Sequence, residues 1–235
     1  MSSASASFDI PVSPILPWWH TVLLLALFAT GSVASAYQHS LPNANLPGLS
    51  QRLSSYFTVL AEEWLAVLLI WLPLRRQNLA LNSLIRGSWR SLGSFFKDLG
   101  IALGFLVIII PLGSGLAYLL GANKNPALAN LVPKTGVQLV VSLALAATAG
   151  FAEELVFRGY LTRQFSAWTG KVSFGILLQG VAFGLAHGFY GKAMAAIMVY
   201  GWLLGLLAYW RKSLRPGMLA HWLQDTIANV AAFLS

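Results

Sequence analysis

The sequence predicts an all-α fold, a polytopic transmembrane helical bundle of about seven spans. Three observations carry this. The 235 residues are 57% hydrophobic and only 9% charged, with a mean hydropathy of +0.69, whereas a soluble globular domain carries about 25% charged residues. Apolar windows of about 20 residues, enough to cross a bilayer core, recur along the chain. Lys and Arg gather in alternate loops between them, as orientation signals do. The net charge of +8 therefore speaks for topology and not for a nucleic-acid partner. Cysteine is absent, which excludes a disulfide framework, a thiolate metal site and a cysteine nucleophile.

In chain order, residues 1–17 are Ser- and Pro-rich and predict a disordered N-terminal segment. Residues 18–136 hold three windows, near 18–37, 56–74 and 99–120, and residues 137–235 hold four, near 137–160, 172–190, 193–210 and 216–234. In the first window Leu23 to Ala29 resembles the core of a signal peptide and Ala34-Ser35-Ala36 a cleavage site. Residues 1–17 contain no Lys or Arg, however, so it reads as a retained helix. Pro111 with Gly113 and Gly115 predicts a kink in the third window. Residues 77–98 predict either a basic amphipathic helix on the membrane surface, with Leu81, Leu84, Ile85, Trp89 and Phe95 opposite Arg86, Arg90 and Lys97, or a linker. With a cytoplasmic N-terminus, the inner loops hold eleven Lys and Arg and the outer loops only Arg52, Lys124, Lys134 and Lys192. The expected location is thus an integral, multi-pass one, in a bacterial plasma membrane or a thylakoid-like membrane, with the N-terminus cytoplasmic.

The chemistry lies in the few charges inside the spans. Of seven acidic residues, five fall in apolar windows: Glu62, Glu63, Glu153, Glu154 and Asp225. An ionisable group at membrane depth costs roughly 2.5–3.5 kcal/mol by insertion scales, so each needs a partner or a task. Glu154 and Arg158 are four apart on one helix face and can pair, while Glu153 points about 100° away. That leaves Glu153 as the carboxylate suited to general-base work, unless both glutamates merely bind Arg158. Phe183 and His187 share a face, as do His221 and Asp225. By itself His187 reads as a packed, hydrogen-bonded histidine. The second pair reads as an electrophilic clamp, a metal-site element or an interhelical hydrogen bond. Glu62-Glu63 reads as a pair reaching outer water or Arg52, with a cavity-lining role as the alternative.

Together these motifs resemble, in order and spacing, the CPBP family of intramembrane proteases, which includes the type II CAAX prenyl proteases and bacteriocin-processing or immunity proteins. The family pattern EExxxR, FxxxH and HxxxN or HxxxD is met by Glu153, Glu154 and Arg158, by Phe183 and His187, and by His221 and Asp225. The resemblance implies a four-helix catalytic core over 137–235, preceded by a variable membrane region over 18–136. It implies an endopeptidase acting on a membrane-associated, prenylated CAAX-type substrate. Glu153 with His187 would activate water, His221 and Asp225 would stabilise the oxyanion, and Glu154, Arg158 and Phe183 would hold the site's shape. Prenyl-processing members typically carry Asn where this chain has Asp225, and a carboxylate donates a hydrogen bond only when protonated.

The compact HExxH zinc motif is absent, and a metal-free, glutamate-activated water is the favoured reading. Zinc held by Glu153, His187 and His221 is the alternative. The expected partners are the bilayer and a membrane-associated peptide or protein. The rival readings are a non-catalytic scaffold or self-immunity protein of the same fold, and a proton-coupled transporter. One conflict stands within the reading itself. Glu153 and His187 lie about 15–17 residues from a turn near 168–170, roughly 22–26 Å. His221 lies only about five residues beyond the Arg215-Pro216 turn. If both turns sit at one membrane surface, His221 is too shallow by roughly 15 Å.

Overall fold

A computed structural model describes residues 13–40, 49–122 and 131–235. In lipid every backbone polar group must be satisfied within its own segment, which favours helices, and the described residues form helices and no strands. In order these are α1 (Trp18–Ser40), α2 (Leu49–Arg76), a short α3 (Asn82–Ile85) and α4 (Leu92–Leu119). Next comes α5 (Gly136–Glu153), which passes without a break through a π-helical segment (Glu154–Leu161) into α6 (Thr162–Thr169). After it come α7 (Val172–Ala186), a 3-10 segment (Gly188–Ala193), α8 (Met194–Arg211) and α9 (Arg215–Leu234).

The ends follow local chemistry. Ser91 and Ser94 cap α4 reciprocally, and the Thr135 hydroxyl caps α5 by accepting from the Gln138 amide. Gly170 in the left-handed region (φ 70°) closes α6, and Pro216 opens α9. α4 continues through Pro111 as one helix.

Each of the seven expected windows corresponds to a helix, but seven spans do not follow. Among the described residues four helical stretches are long and apolar enough to cross a membrane: Arg52–Arg76, Leu92–Leu119, Gly136–Thr169 and Tyr190–Arg211. Trp18–Ala34 and Val172–Ala186 are apolar but shorter. α9 is outside both groups, because His221, Gln224, Asp225, Thr226 and Asn229 dilute its apolar character. Residues 77–98, expected as a surface helix or a linker, divide between the two: Asn82–Ile85 and the start of α4 at Leu92 are helical, and 77–81 and 86–91 are not. Arg86 (φ 57°) and Gly87 (φ 64°) both adopt the left-handed region, which breaks the helix after Ile85. The linker is docked onto the core: the Leu214 amide donates to the Ile85 carbonyl at 2.8 Å, and Arg163 donates to the Ser83 carbonyl at 2.9 Å. Most of the segment expected to be disordered lies outside the described residues. Its end is tied down, with the Ile15 amide donating to Gln164 Oε1 at 3.0 Å and Gln164 Nε2 to the Leu16 carbonyl at 2.6 Å.

Helices in lipid associate through close packing over small residues. α7 and α8 meet at Gly180 and Gly201, where a Cβ on Gly201 would stand 3.1 Å from the Gly180 Cα. Gln179 Nε2 donates to the Gly201 carbonyl across this seam at 2.9 Å. α9 crosses α5 at Gly150, where a Cβ would stand 2.9 Å from the Trp222 amide nitrogen. Trp64 of α2 packs on Phe151 of α5 with ring centroids 6.2 Å apart. α1 reaches the π segment through Thr21 and Tyr160, whose hydroxyls are 2.9 Å apart. The helix from Gly136 to Thr169 is therefore embraced on several sides, and it carries Glu153, Glu154 and Arg158 at its middle.

Its length removes the depth conflict. Thirty-four residues run for about 50 Å, well over the roughly 30 Å of a hydrocarbon core. The turn near residue 170 projects beyond the level of the α8–α9 turn. That second turn packs instead at Gly159, where a Cβ would stand 3.2 Å from Leu214 and 3.3 Å from Leu84. Glu154 and His221 each lie one to two helical turns from that shared level and meet.

Candidate active site

The π segment begins at Glu154, so the two adjacent glutamates are the last residue of a regular helix and the first of a wider one. They face different partners. Glu154 is fully buried (0% exposed) and Arg158 nearly so (2%). Arg158 Nη1 lies 3.0 Å from Glu154 Oε1. The contact is off the hydrogen-bonding direction, since the guanidinium nitrogens make no hydrogen bond among the described residues, so it is an ion pair and not a bidentate clamp. The guanidinium also lies over the Phe183 ring, 4.0 Å from its centroid. Glu154 Oε1 accepts from His221 Nδ1 at 3.1 Å. Glu154 thus links the buried arginine to the histidine of α9.

Glu153 faces the two histidines. Its Oε1 lies 4.0 Å from His187 Nε2 and its Oε2 lies 3.7 Å from His221 Nε2. His187 follows the end of α7 and its Nδ1 is 2.8 Å from the Phe183 carbonyl. A carbonyl only accepts, so Nδ1 carries the hydrogen and a neutral His187 presents Nε2 as an acceptor toward Glu153. The ring is held between Phe183 (4.8 Å) and Tyr190 (5.9 Å, nearly parallel). On His221, the Nδ1 hydrogen goes to Glu154. Nε2 then faces Glu153 and also Asp225 Oδ2 at 3.6 Å, so a hydrogen on Nε2 would lie between two carboxylates.

Every residue singled out in the motifs therefore converges: Glu153, Glu154, Arg158, Phe183, His187, His221 and Asp225. Among the described residues no group of three His, Asp or Glu side chains has the spacing of a metal-binding set. Glu153, His187 and His221 are the residues that would hold zinc, at zinc–ligand distances of about 2.0–2.2 Å.

Two residues at this site lie outside the three motifs, and for the first of them the cavity-lining alternative is the one the burial supports. Glu63 does not reach outer water: it is 2% exposed and Oε2 has no hydrogen-bond partner among the described residues. It stands within electrostatic range of Glu153 and Asp225. The signal was present, as a glutamate pair inside an apolar helix. The other is Tyr200 of α8, buried, with its ring perpendicular to His221 at 5.7 Å and its hydroxyl unpartnered among the described residues. No motif marks it.

Fold and site together define an integral membrane protein of helical bundle architecture with carboxylates and histidines gathered around one buried polar centre. The model of the family described as Type II CAAX prenyl endopeptidase Rce1-like matches residues 135–227. That stretch of the chain is similar to this protease family, in agreement with the CPBP resemblance of its motifs, and all of the convergent motif residues lie within it. No curated protein and no solved structure matches the chain.

Proposed function

We propose that the protein is an intramembrane endopeptidase that hydrolyses a peptide bond of a membrane-associated, prenylated CAAX-type substrate through a water activated by Glu153. The observation that supports this best is the pairing of Glu153 Oε1 with His187 Nε2 at 4.0 Å. A water about 2.8 Å from each atom fits between them, donating one hydrogen to each and presenting a lone pair to a substrate carbonyl. Glu153 takes the proton as the water oxygen bonds to the carbonyl carbon. The oxyanion that forms faces His221 Nε2, which donates to it when protonated. Collapse of the tetrahedral intermediate breaks the C–N bond, and the proton held on Glu153 passes to the leaving amine. Glu154, anchored by Arg158, holds His221 in the orientation this needs.

Asp225 sits beside His221 and acts through it, keeping a hydrogen-bond acceptor at Nε2 between turnovers. The excess of Lys and Arg in alternate loops supports a cytoplasmic N-terminus and α8–α9 turn. The direct test is cleavage of a prenylated CAAX peptide by the purified protein and by Glu153→Gln. The variant should keep its melting temperature and lose turnover by at least about a thousandfold. Full activity in the variant removes Glu153 as the base. Zinc bound one-to-one in the active sample, with loss of activity on chelation, moves water activation to a metal held by Glu153, His187 and His221. No cleavage of any membrane-anchored peptide by the wild type favours the scaffold or self-immunity reading.

A further inference from the structure

The proposed mechanism uses Glu153, His187, His221 and Asp225 and leaves the glutamates of α2 without a task. Glu63 is nearly fully buried, with one oxygen unpartnered among the described residues. The Trp64–Phe151 contact sets α2 against α5 at the level of Glu153, and Glu63 is within electrostatic range of both Glu153 and Asp225. Glu62 joins the same group. It is within range of Glu153, and its carboxylate rests on α1 at Gly31, where a Cβ would stand 2.6 Å from Oε2. Four carboxylates, from α2, α5 and α9, therefore share one polar centre with two imidazoles.

Glu154 and Arg158 neutralise each other behind this group. Among the described residues, His187 and His221 are the basic groups paired with Glu153 and Asp225, at 3.6–4.0 Å. The Asp225 side chain is 34% exposed and that of His187 21%, so the centre is open on that side. An anionic group placed there would lie against the carboxyl groups of Glu63, Glu153 and Asp225 in a low-dielectric setting and gain no pairing from them. A cation would be paired on arrival and would satisfy the unpartnered oxygen of Glu63.

We propose that Glu63, assisted by Glu62, forms a subsite beside Glu153 that receives a cationic side chain of the substrate, a lysine or arginine close to the scissile bond. This rests on the peptidase reading and adds to it a determinant of substrate choice. The subsite selects for a positive side chain and against a carboxylate at the same position.

The test uses the full-length purified protein and a set of matched prenylated peptides. A single lysine is moved stepwise through the residues flanking the scissile bond, with norleucine as the neutral counterpart. In the wild type, lysine at one position should raise kcat/KM over norleucine roughly 10- to 100-fold, the worth of one charge-assisted hydrogen bond. In Glu63→Gln that ratio should fall toward one, whatever the variant does to the norleucine rate. A flat lysine scan in the wild type overturns the proposal without any variant, and so does a preference that survives in Glu63→Gln.

A second arm measures equilibrium binding of the same peptides made uncleavable by N-methylation of the scissile amide. Tighter binding of the lysine peptide with no cleavage of its parent supports the subsite and sinks the peptidase reading. Equal binding of the lysine and norleucine peptides at every position sinks the subsite alone.

Discussion

Replacing Arg158 by methionine tests how the site is held together. The guanidinium is 2% exposed, its ion-pair partner Glu154 is fully buried, and its plane lies on Phe183. Removing one member of a buried pair strands the other charge, at a cost of about 3–5 kcal/mol. For a chain of this size each kcal/mol lowers Tm by about 2–4 °C, so Arg158→Met should melt roughly 6–20 °C below wild type. The double variant Glu154→Leu with Arg158→Met removes both charges and leaves only the His221 Nδ1 hydrogen without its acceptor, about 1–3 kcal/mol. At the middle of both ranges it should recover about half of the loss in Tm. Turnover should not recover, because His221 is no longer oriented by Glu154. The nine tryptophans supply a fluorescence signal for melting in one detergent, and cleavage of a prenylated peptide supplies the activity. A single variant that melts like wild type, or a double variant no more stable than the single, would refute the claim that the pair is a mutually dependent buried unit. A double variant with full activity would refute the orienting role of Glu154.

Three further outcomes follow from other contacts. In Gly150→Ala the added methyl meets backbone of α9 at 2.9 and 3.0 Å, so α5 and α9 must part. A loss of about 1–3 kcal/mol with a larger fall in kcat is expected, and unchanged melting and turnover would contradict the tight crossing. Tyr200→Phe deletes a buried, unpartnered hydroxyl, so stability should stay level or rise by about 1 kcal/mol in a thermal melt. A fall in kcat at preserved Tm would instead assign the hydroxyl to substrate. Asp225→Asn supplies an N–H donor beside His221 Nε2 and matches the residue typical of prenyl-processing relatives. Activity on a CAAX peptide should be kept or increased, and loss of more than about tenfold would show that the carboxylate charge at 225 is required.

The site was legible because polar residues in apolar helices are few and their spacing is informative. Glu154 and Arg158 at i, i+4, His187 four after Phe183, and His221 four before Asp225 each define a helix face from spacing alone. What spacing could not supply was the π segment over Glu154–Leu161. A π turn leaves no periodic signature in an eight-residue stretch, and its formation here accompanies the close seating of Leu214 and Leu84 on Gly159. The choice between outer water and a cavity for Glu63 is open in the sequence for a different reason. Counting residues from a span's end gives depth, but says nothing about which neighbouring helix covers that depth, and α5 covers it.

The expected depth mismatch of His221 had a single source: the assumption that every span starts and ends at the same two planes. α5, the π segment and α6 make one rod longer than a bilayer core, while α7 ends after 15 residues. Unequal helices place their turns at different heights, so residues at unequal distances from their own turns come to one level. That inequality also sets how His187 meets Glu153. Because α7 stops at His187, the ring is released from regular helix, its Nδ1 is satisfied by the Phe183 carbonyl, and its Nε2 is left to face Glu153. A longer α7 would commit residue 187 to the helix wall. The short helix and the long one are therefore parts of a single arrangement, one bringing a carboxylate to mid-height and the other ending where an imidazole can meet it.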